Sequence, residues 1–403
     1  MNQVKLSREV GVLLLLFYGL GNILGAGIYV LVGKIIGISG YFTVFAFLLA
    51  CAIVLFTALS YMELASRYPI SAGEAVYIEE GIGYRKLSIA VGMLIASAGM
   101  ISAAAISHGF VGYLNEFVAV NESISIVILV LVLVGISIVG IKTSVVVVTL
   151  LTLLEIFGLL LIIIYGFDKI VNPVTNFDLF VPSFEFSEIS VVFLGAFLAF
   201  YAFLGFEDMV NIAEEVKAPS RAFPIAIILA LSISTLLYVL VVLVALETLS
   251  LDELQSSSAP FADIYKRLTG DEPIVISLIG SFAVVNGALI QMIMASRIVY
   301  GMAVKGWLPS TLTQVSHMTK TPIKATLLVG LITMSFALLF DIVFLASFTS
   351  MLILIVFTLV NIALIRIKST KPAPEGVREI PVWVPWCAVV LNLLLIGMQL
   401  FVN

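Results

Sequence analysis

The sequence has little charge. Only 11% of its 403 residues are Asp, Glu, Lys or Arg, against about a quarter in soluble domains. Two histidines and two cysteines leave little material for a zinc or haem centre. Cys51 and Cys387 both lie inside apolar runs, which fits neither a disulfide framework nor a thiolate metal site, and no cofactor is expected. A basic excess is missing too. Twenty Lys and Arg against 25 Asp and Glu give a net charge of −5, which argues against nucleic acid as a partner. What fills the chain instead is apolar: 62% of its side chains, with a mean hydropathy of +1.21. A soluble fold would expose an oily surface at that composition, and a disordered chain is excluded for the same reason. The chain reads as an all-α polytopic membrane protein with the lipid bilayer as its solvent.

A spanning helix needs about 20 mostly apolar residues. Eleven such segments run near 11–33, 40–64, 87–114, 123–141, 144–167, 189–213, 223–247, 273–303, 323–340, 342–367 and 381–402. The short turns near Lys142 and Asp341 are each read as splitting two spans. The run from Gly11 is too long for a signal-peptide core, so it is expected to remain as a helix. With the N-terminus inside, 16 of the 20 basic residues fall in inner loops, including Lys5, Arg8, Arg67, Lys142, Lys217, Lys320 and Lys368; Lys34, Lys169, Lys266 and Arg267 remain outside. Basic residues mark the cytoplasmic side, so this split predicts a cytoplasmic N-terminus and an extracellular C-terminus in the cell membrane. The sequon Asn121-Glu122-Ser123 falls in an outer loop and matters only in a glycosylating host.

Two spans look breakable. The first carries Gly19, Gly21, Gly25 and Gly27 within nine positions, with Asn22 among them, which is poor helix material. The sixth carries Gly205 followed by Glu207 and Asp208 inside an apolar run. Five spans separate equivalent points, and an odd number turns the second unit upside down. Paired breaks in an inverted repeat mark a transporter's substrate site. For the first span alone, close helix packing through small residues explains the glycines equally well. Gly19, Gly21 and Gly25 miss the dinucleotide fingerprint by one residue. Gly33-Lys34 lacks the Ser or Thr that a phosphate loop needs next.

In order and at their spacing, these residues resemble the amino acid–polyamine–organocation transporter superfamily. Gly25-Ala26-Gly27-Ile28-Tyr29 is similar to its helix 1 break. Glu63-Leu64, Pro69, Ser71, Gly73, Glu74 and Tyr77 are similar to the end of helix 2 and its inner loop. Phe203-Leu204-Gly205-Phe206-Glu207, Glu214 to Pro219, Arg221 and Pro224 resemble the helix 6 signature. Ser296-Arg297, Gly306, Leu308-Pro309 and Thr321-Pro322 resemble the end of helix 8. The resemblance implies a leucine-transporter-like fold with a 5+5 inverted repeat and 11 transmembrane helices. The repeats would be 1–167 and 189–367, with 381–402 as an extra helix. Many members have twelve spans, and several proton-coupled members carry a lysine where this chain has Glu155.

The resemblance also implies a secondary transporter, not an enzyme, that moves an amino acid by alternating access. Spans 1, 2, 6 and 7 would rock against spans 3, 4, 8 and 9. The expected substrate is a neutral amino acid with proton coupling. A cationic amino acid or polyamine, exchange, or sodium coupling are the alternatives; oligomeric state is left open. The expected substrate-binding residues are Gly25, Ala26, Gly27, Ile28, Ala202, Phe203, Phe206 and Glu207. Amides of Gly27 and Ile28 would meet the carboxylate, and carbonyls near Ala202 and Phe203 the ammonium. Phe203, Phe206, Ser97, Ser102 and Ser347 would set selectivity.

Glu155 and Glu207 are the expected coupling residues, because buried membrane acids are functional by default. Glu155 lies 11 residues into its span, about 16 Å deep at helical rise. Glu207 has capping of freed amides as its plainer role. Glu63 and Arg67 are spaced for a local ion pair. Glu214, Glu215, Lys217 and Arg221 suit an inner latch or a solvated loop. His108 is expected to be a neutral, hydrogen-bonded packing residue. A channel would need a continuous polar stripe, and none is visible; a sensor would need an extra soluble domain.

Overall fold

The computed structural model describes residues 10–70, 73–139, 144–173, 177–183, 185–316 and 321–402. Lys5, Arg8, Ser71, Lys142 and Lys320 lie outside the described residues, as do the side chains of Ala26, Glu214 and Glu215. Every predicted span holds a helix. They are α1 (Val12–Ser39), α2 (Thr43–Arg67), α3 (Arg85–Asn115), α4 (Glu122–Val139), α5 (Ser144–Tyr165) and α6 (Phe186–Tyr201). They continue as α7 (Pro219–Thr248), α8 (Ile274–Val304), α9 (Ile323–Leu339), α10 (Ile342–Thr370) and α11 (Trp383–Val402). A backbone in lipid must satisfy its own polar groups, and a helix does so within one segment. Among the described residues, seven helical runs are long and apolar enough to cross a membrane. The first, Val12–Arg67, contains both α1 and α2, and α4, α6 and α9 are shorter apolar helices. Leu131, Leu150, Ile164, Leu236, Leu331 and Leu339 are exposed on their outer faces, as lipid-facing side chains should be. The chain is an all-α polytopic membrane protein.

Local chemistry sets the boundaries. The turn between α9 and α10 is fixed by Asp341, whose carboxylate accepts the N–H groups of Val343 and Phe344 at 2.9 and 3.0 Å, an N-cap for α10. Gly40, at φ 52°, turns the chain between α1 and α2. On the predicted outer side, Ser250 and Glu253 form a capping box. Arg267 reaches the same carboxylate at 2.6 Å. The Ser250 amide and hydroxyl, then Arg267, hold Glu253 down to about 2. The helix this box starts, Leu251–Ser256, sits on the end of α1. A Cβ on Gly33 would lie 2.1 Å from the Leu254 carbonyl, and Lys34 donates to the Gln255 carbonyl at 2.6 Å. Gly33-Lys34 is thus a loop seat.

The expected break in α1 is not present. The helix runs without interruption from Val12 to Ser39. Its glycines give close approach instead. A Cβ on Gly27 would stand 2.3 Å from Ala202 Cα, one on Gly25 3.1 Å from the Ala283 carbonyl, and one on Gly21 2.1 Å from Thr152 Oγ1. Small-residue packing wins in α1 because three neighbours crowd it at once. The break in the sixth span is present: α6 stops at Tyr201, and a 3₁₀ segment begins at Glu207.

α1 packs on α2, α6 and α7, and α2 packs on α6 and α7; α3, α4, α8 and α9 pack on one another. α5 lies against α1 and α8, and α10 against α3 and the short helix Gly73–Ile82. At the predicted inner end, Glu63 is fully buried. Arg67 donates to it at 2.8 Å, Lys368 at 2.8 and 2.9 Å, and the Ile380 N–H at 2.8 Å. The expected Glu63–Arg67 pair is one edge of a network joining α2, α10 and the approach to α11. His108 is hydrogen-bonded, as expected. Its ring nitrogens face Glu122 Oε1 at 2.8 Å and the Phe340 carbonyl at 3.1 Å, tying α3 to the start of α4 and the end of α9.

Candidate functional site

The unwound segment Ala202–Phe206 is the organising feature. Each of its first three amides bonds back by a tight turn, to Ala199, Phe200 and Tyr201. Gly205 then adopts φ 127°, a backbone region that L side chains rarely enter. A Cβ there would also lie 2.8 Å from the Asn22 backbone. The segment is pinned to α1 at two heights. Tyr238 of α7 places its hydroxyl 2.7 Å from the Ile23 carbonyl and 2.8 Å from the Ala202 carbonyl. The Asn22 amide donates to the Gly205 carbonyl at 3.3 Å and to Asp208 Oδ2. Gln291 of α8 donates to that same Asp208 oxygen at 3.0 Å.

Glu207 Oε2 accepts the Gly205 N–H at 2.8 Å, the capping contact its position suggested. Glu155 lies on α5, fully buried. Its Oε1 accepts from Asn286 Nδ2 at 3.0 Å. Its Oε2 and Asn286 Oδ1 are both buried and unpartnered.

Beside the break lies a narrow cleft. Leu204, Glu207 and Asp208 form one wall, Ser102 of α3 and Gln291 of α8 the next, and Thr349 and Phe357 of α10 the third; Glu74 and Tyr61 close the end. The expected residues divide around it. Glu207 and Ser102 line it, with Ser102 bonded to the Tyr201 hydroxyl at 2.8 Å. Phe203 lies behind it, edge-on to Phe47 and Tyr238 at ring distances of 6.2 and 5.2 Å. Phe206 packs against Tyr61 and Phe357. Gly25, Gly27 and Ile28 are buried in α1 against α6 and α8, and Ala202 meets Gly27. Ala26 lies in the helix, its side chain outside the description. Ser97 and Ser347 are half-buried, away from the cleft lining.

Sequence reading did not assign Asp208, Glu74, Asn286, Gln291 or Thr349 to the site, although Asp208 and Glu74 stand inside motifs it singled out. Glu74 lies in the first turn of the short helix Gly73–Ile82. Burial, with Asp208 nearby adding to it, pushes its carboxyl from the usual 4.5 up to about 8. The folded chain therefore holds a proton that the unfolded chain releases within that window. Its contribution is full below about 4.5 and is lost as pH rises toward 8. Glu74→Gln should flatten this fall in melting temperature across that interval. An unchanged slope would mean that Glu74 is ionised in the folded protein.

An amino acid permease family model matches residues 10–403. The chain is 27% identical over 419 residues to a branched-chain amino acid permease of Bacillus subtilis, covering 97% of this chain and 88% of the relative. It is 27% identical over 395 residues to a vacuolar cationic amino acid transporter of Arabidopsis thaliana, covering 91% of this chain but only 64% of the plant protein. A methylthioribose transporter of Bacillus subtilis is 26% identical over 400 residues, covering 94% of this chain and 85% of the relative. With the match running through both the α1 glycines and the α6 break, the chain belongs to the amino acid permease family, a family of membrane transporters rather than enzymes.

Proposed function

We propose that this chain carries amino acids across the cell membrane by alternating access. The observation that carries this is the unwound Ala202–Phe206 segment, held at membrane depth against the glycine face of α1 by Tyr238 and Asn22. Irregular backbone at that depth serves where it lines a site. Substrate ammonium would be received near the Ala202 and Phe203 carbonyls. Its carboxylate would be received by α1 amides at Gly27 and Ile28 once that helix opens at its glycines. The packing of α1, α2, α6 and α7 as one group, and of α3, α4, α8 and α9 as another, supports rocking of the first on the second. Residues 1–167 and 189–367 would be the inverted repeats, with 381–402 outside them, the N-terminus cytoplasmic and the C-terminus extracellular.

Glu155 is the coupling group in this proposal. Glu155 Oε2 and Asn286 Oδ1 are buried acceptors with no donor. A single proton on the carboxyl supplies the missing donor, and its departure leaves an uncompensated charge in the bundle. The protonated form suits one face of the cycle and the ionised form, beside α1 at Gly25, the other. Sodium held by the same oxygens is the rival. In proteoliposomes a pH gradient should drive uptake and a sodium gradient at equal pH should not. Glu155→Gln should keep counterflow and lose gradient-driven accumulation. Accumulation by the variant on a proton gradient alone would remove Glu155 from the role and turn attention to Glu207. Saturable uptake with counterflow also separates a carrier from a channel. A neutral side chain was the expectation; the acids around the cleft favour the cationic alternative.

A further inference from the structure

Resting on the carrier assignment above, we infer that α11 is a working part of the carrier, with its Asn392 a positioning residue that seats the α6 break through α2 and α10. α11 belongs to neither proposed repeat, yet it packs on α10, α2 and α6. Leu393 and Leu394 face outward, whereas Asn392 is fully buried. A carboxamide sunk among apolar helices calls for a physical reason.

Asn392 meets a polar node. Its amide donates to Thr57 Oγ1 of α2 at 3.4 Å, and the Asn361 amide of α10 donates to the same oxygen at 3.1 Å. Asn361 also donates to the Phe357 carbonyl at 2.7 Å, one turn back along α10. All three side chains are fully buried. The carboxamide oxygens of Asn361 and Asn392 have no donor. Amide bonds between membrane helices contribute little, and a buried open acceptor costs more than one such bond contributes. The node therefore adds little stability. What it fixes is register, since three helices meet at one hydroxyl.

That register reaches the break. Thr57 stands one turn before Tyr61 on α2, and Asn361 one turn after Phe357 on α10. The rings of Tyr61 and Phe357 touch at 5.4 Å between centroids, and they meet Phe206 at 5.6 and 5.4 Å. Phe206 ends the unwound segment, directly before Glu207 and Asp208. A slip of α2 along α10 would carry these two rings apart and unseat Phe206 between them.

A second observation is independent of the node. The chain entering α11 grips α2 again at its inner end, where the Ile380 N–H donates to Glu63 at 2.8 Å and Glu379 accepts from Arg67 at 3.2 Å. α10 joins there too, through Lys368. The same three elements thus meet at two heights on α2, Thr57 and Glu63, about 9 Å apart at helical rise. Tyr61 lies between the two grips, so α11 and its approach hold the stretch of α2 that faces the break.

The test is counterflow of L-leucine or L-lysine, whichever the native chain carries, in proteoliposomes holding the full chain, beside thermal denaturation in detergent. Asn392→Leu keeps the branched shape and removes the open acceptor. It should leave the melting temperature unchanged or higher and lower counterflow by tenfold or more. Thr57→Val should lower counterflow likewise. The double variant should lose no more than twofold beyond the worse single one, because both act through one contact. Leu393→Ala, on the outer face of the same helix, should stay within twofold of native. Native counterflow by Asn392→Leu would overturn the inference. A loss matched by a fall in melting temperature would make Asn392 a bond of the fold alone and also overturn it, as would losses that multiply in the double variant. If Asn392→Leu does not purify, Asn392→Val is read in the same way. Absence of counterflow by the native chain with any amino acid would instead sink the carrier assignment, and this inference with it.

Discussion

Gly27→Ala is expected to reduce uptake to background while the protein still inserts and purifies as a monodisperse species, and Gly27→Val should do the same more severely. An added Cβ would stand 2.3 Å from Ala202 Cα and 2.6 Å from its Cβ. No rotamer relieves a contact with main-chain atoms, so α1 and the unwound segment must separate. Separation would strain the Tyr238 hydroxyl between Ile23 and Ala202 and the Asn22 bonds to Gly205 and Asp208. Gly135→Ala in α4 is the matched control, since nothing lies within 4 Å of its Cβ position. That variant should transport normally. Uptake in proteoliposomes beside size-exclusion chromatography measures both halves. Normal transport by Gly27→Ala would mean that α1 and the α6 break need not touch during the cycle.

The largest loss of stability is expected from Glu63→Ala. Its carboxylate is the buried acceptor for Arg67, Lys368 and the Ile380 amide, and the side chains of both cations are 5% exposed or less. Removing it leaves them Glu379, at 3.2 Å from each and half-exposed, and for Arg67 a long contact to the Lys371 carbonyl at 3.4 Å. Breaking a buried pair by deleting one partner typically costs about 3–5 kcal/mol. Thermal denaturation in detergent should show a loss of that order. Lys266→Ala, which breaks an exposed pair with Glu272, should change stability by about 0.5 kcal/mol or less. Converting Glu63 and Lys368 together to Leu and Met should recover part of the loss, because apolar replacement of a buried pair is often neutral. A small effect from Glu63→Ala would mean that water reaches the network.

The helices were legible because lipid imposes one demand on the backbone, and apolar runs of the required length answer it. The loop signs were legible too: Asp341 splits two helices as its sequence position suggests. The α6 break could be read because Gly205 and two adjacent acids contradict an apolar span locally. The α1 break could not be judged in the same way. Glycines that loosen a helix and glycines that admit a neighbour have identical sequences, and the difference lies in Ala202, Ala283 and Thr152, far away along the chain. The partners of Asp208 were hidden for the same reason. Asn22 and Gln291 are single polar residues in apolar helices, and only folding brings their amides to one oxygen. Lys368 likewise gave no local sign of meeting Glu63, 305 residues away.

The unbroken α1 alters what a measured affinity means. Gly19, Gly21, Gly25 and Gly27 together weaken that helix by about 3–4 kcal/mol relative to alanine, yet it stays closed. If carboxylate capture requires free amides at Gly27 and Ile28, the ligand meets only the fraction of molecules in which the helix has opened. Apparent dissociation constants then exceed the intrinsic ones by the inverse of that fraction, about a hundredfold when one molecule in a hundred is open. A substitution that shifts this fraction from a distance would rescale every substrate by the same factor and leave their ranking unchanged. A substitution in a pocket that reads side chains would reorder the ranking instead.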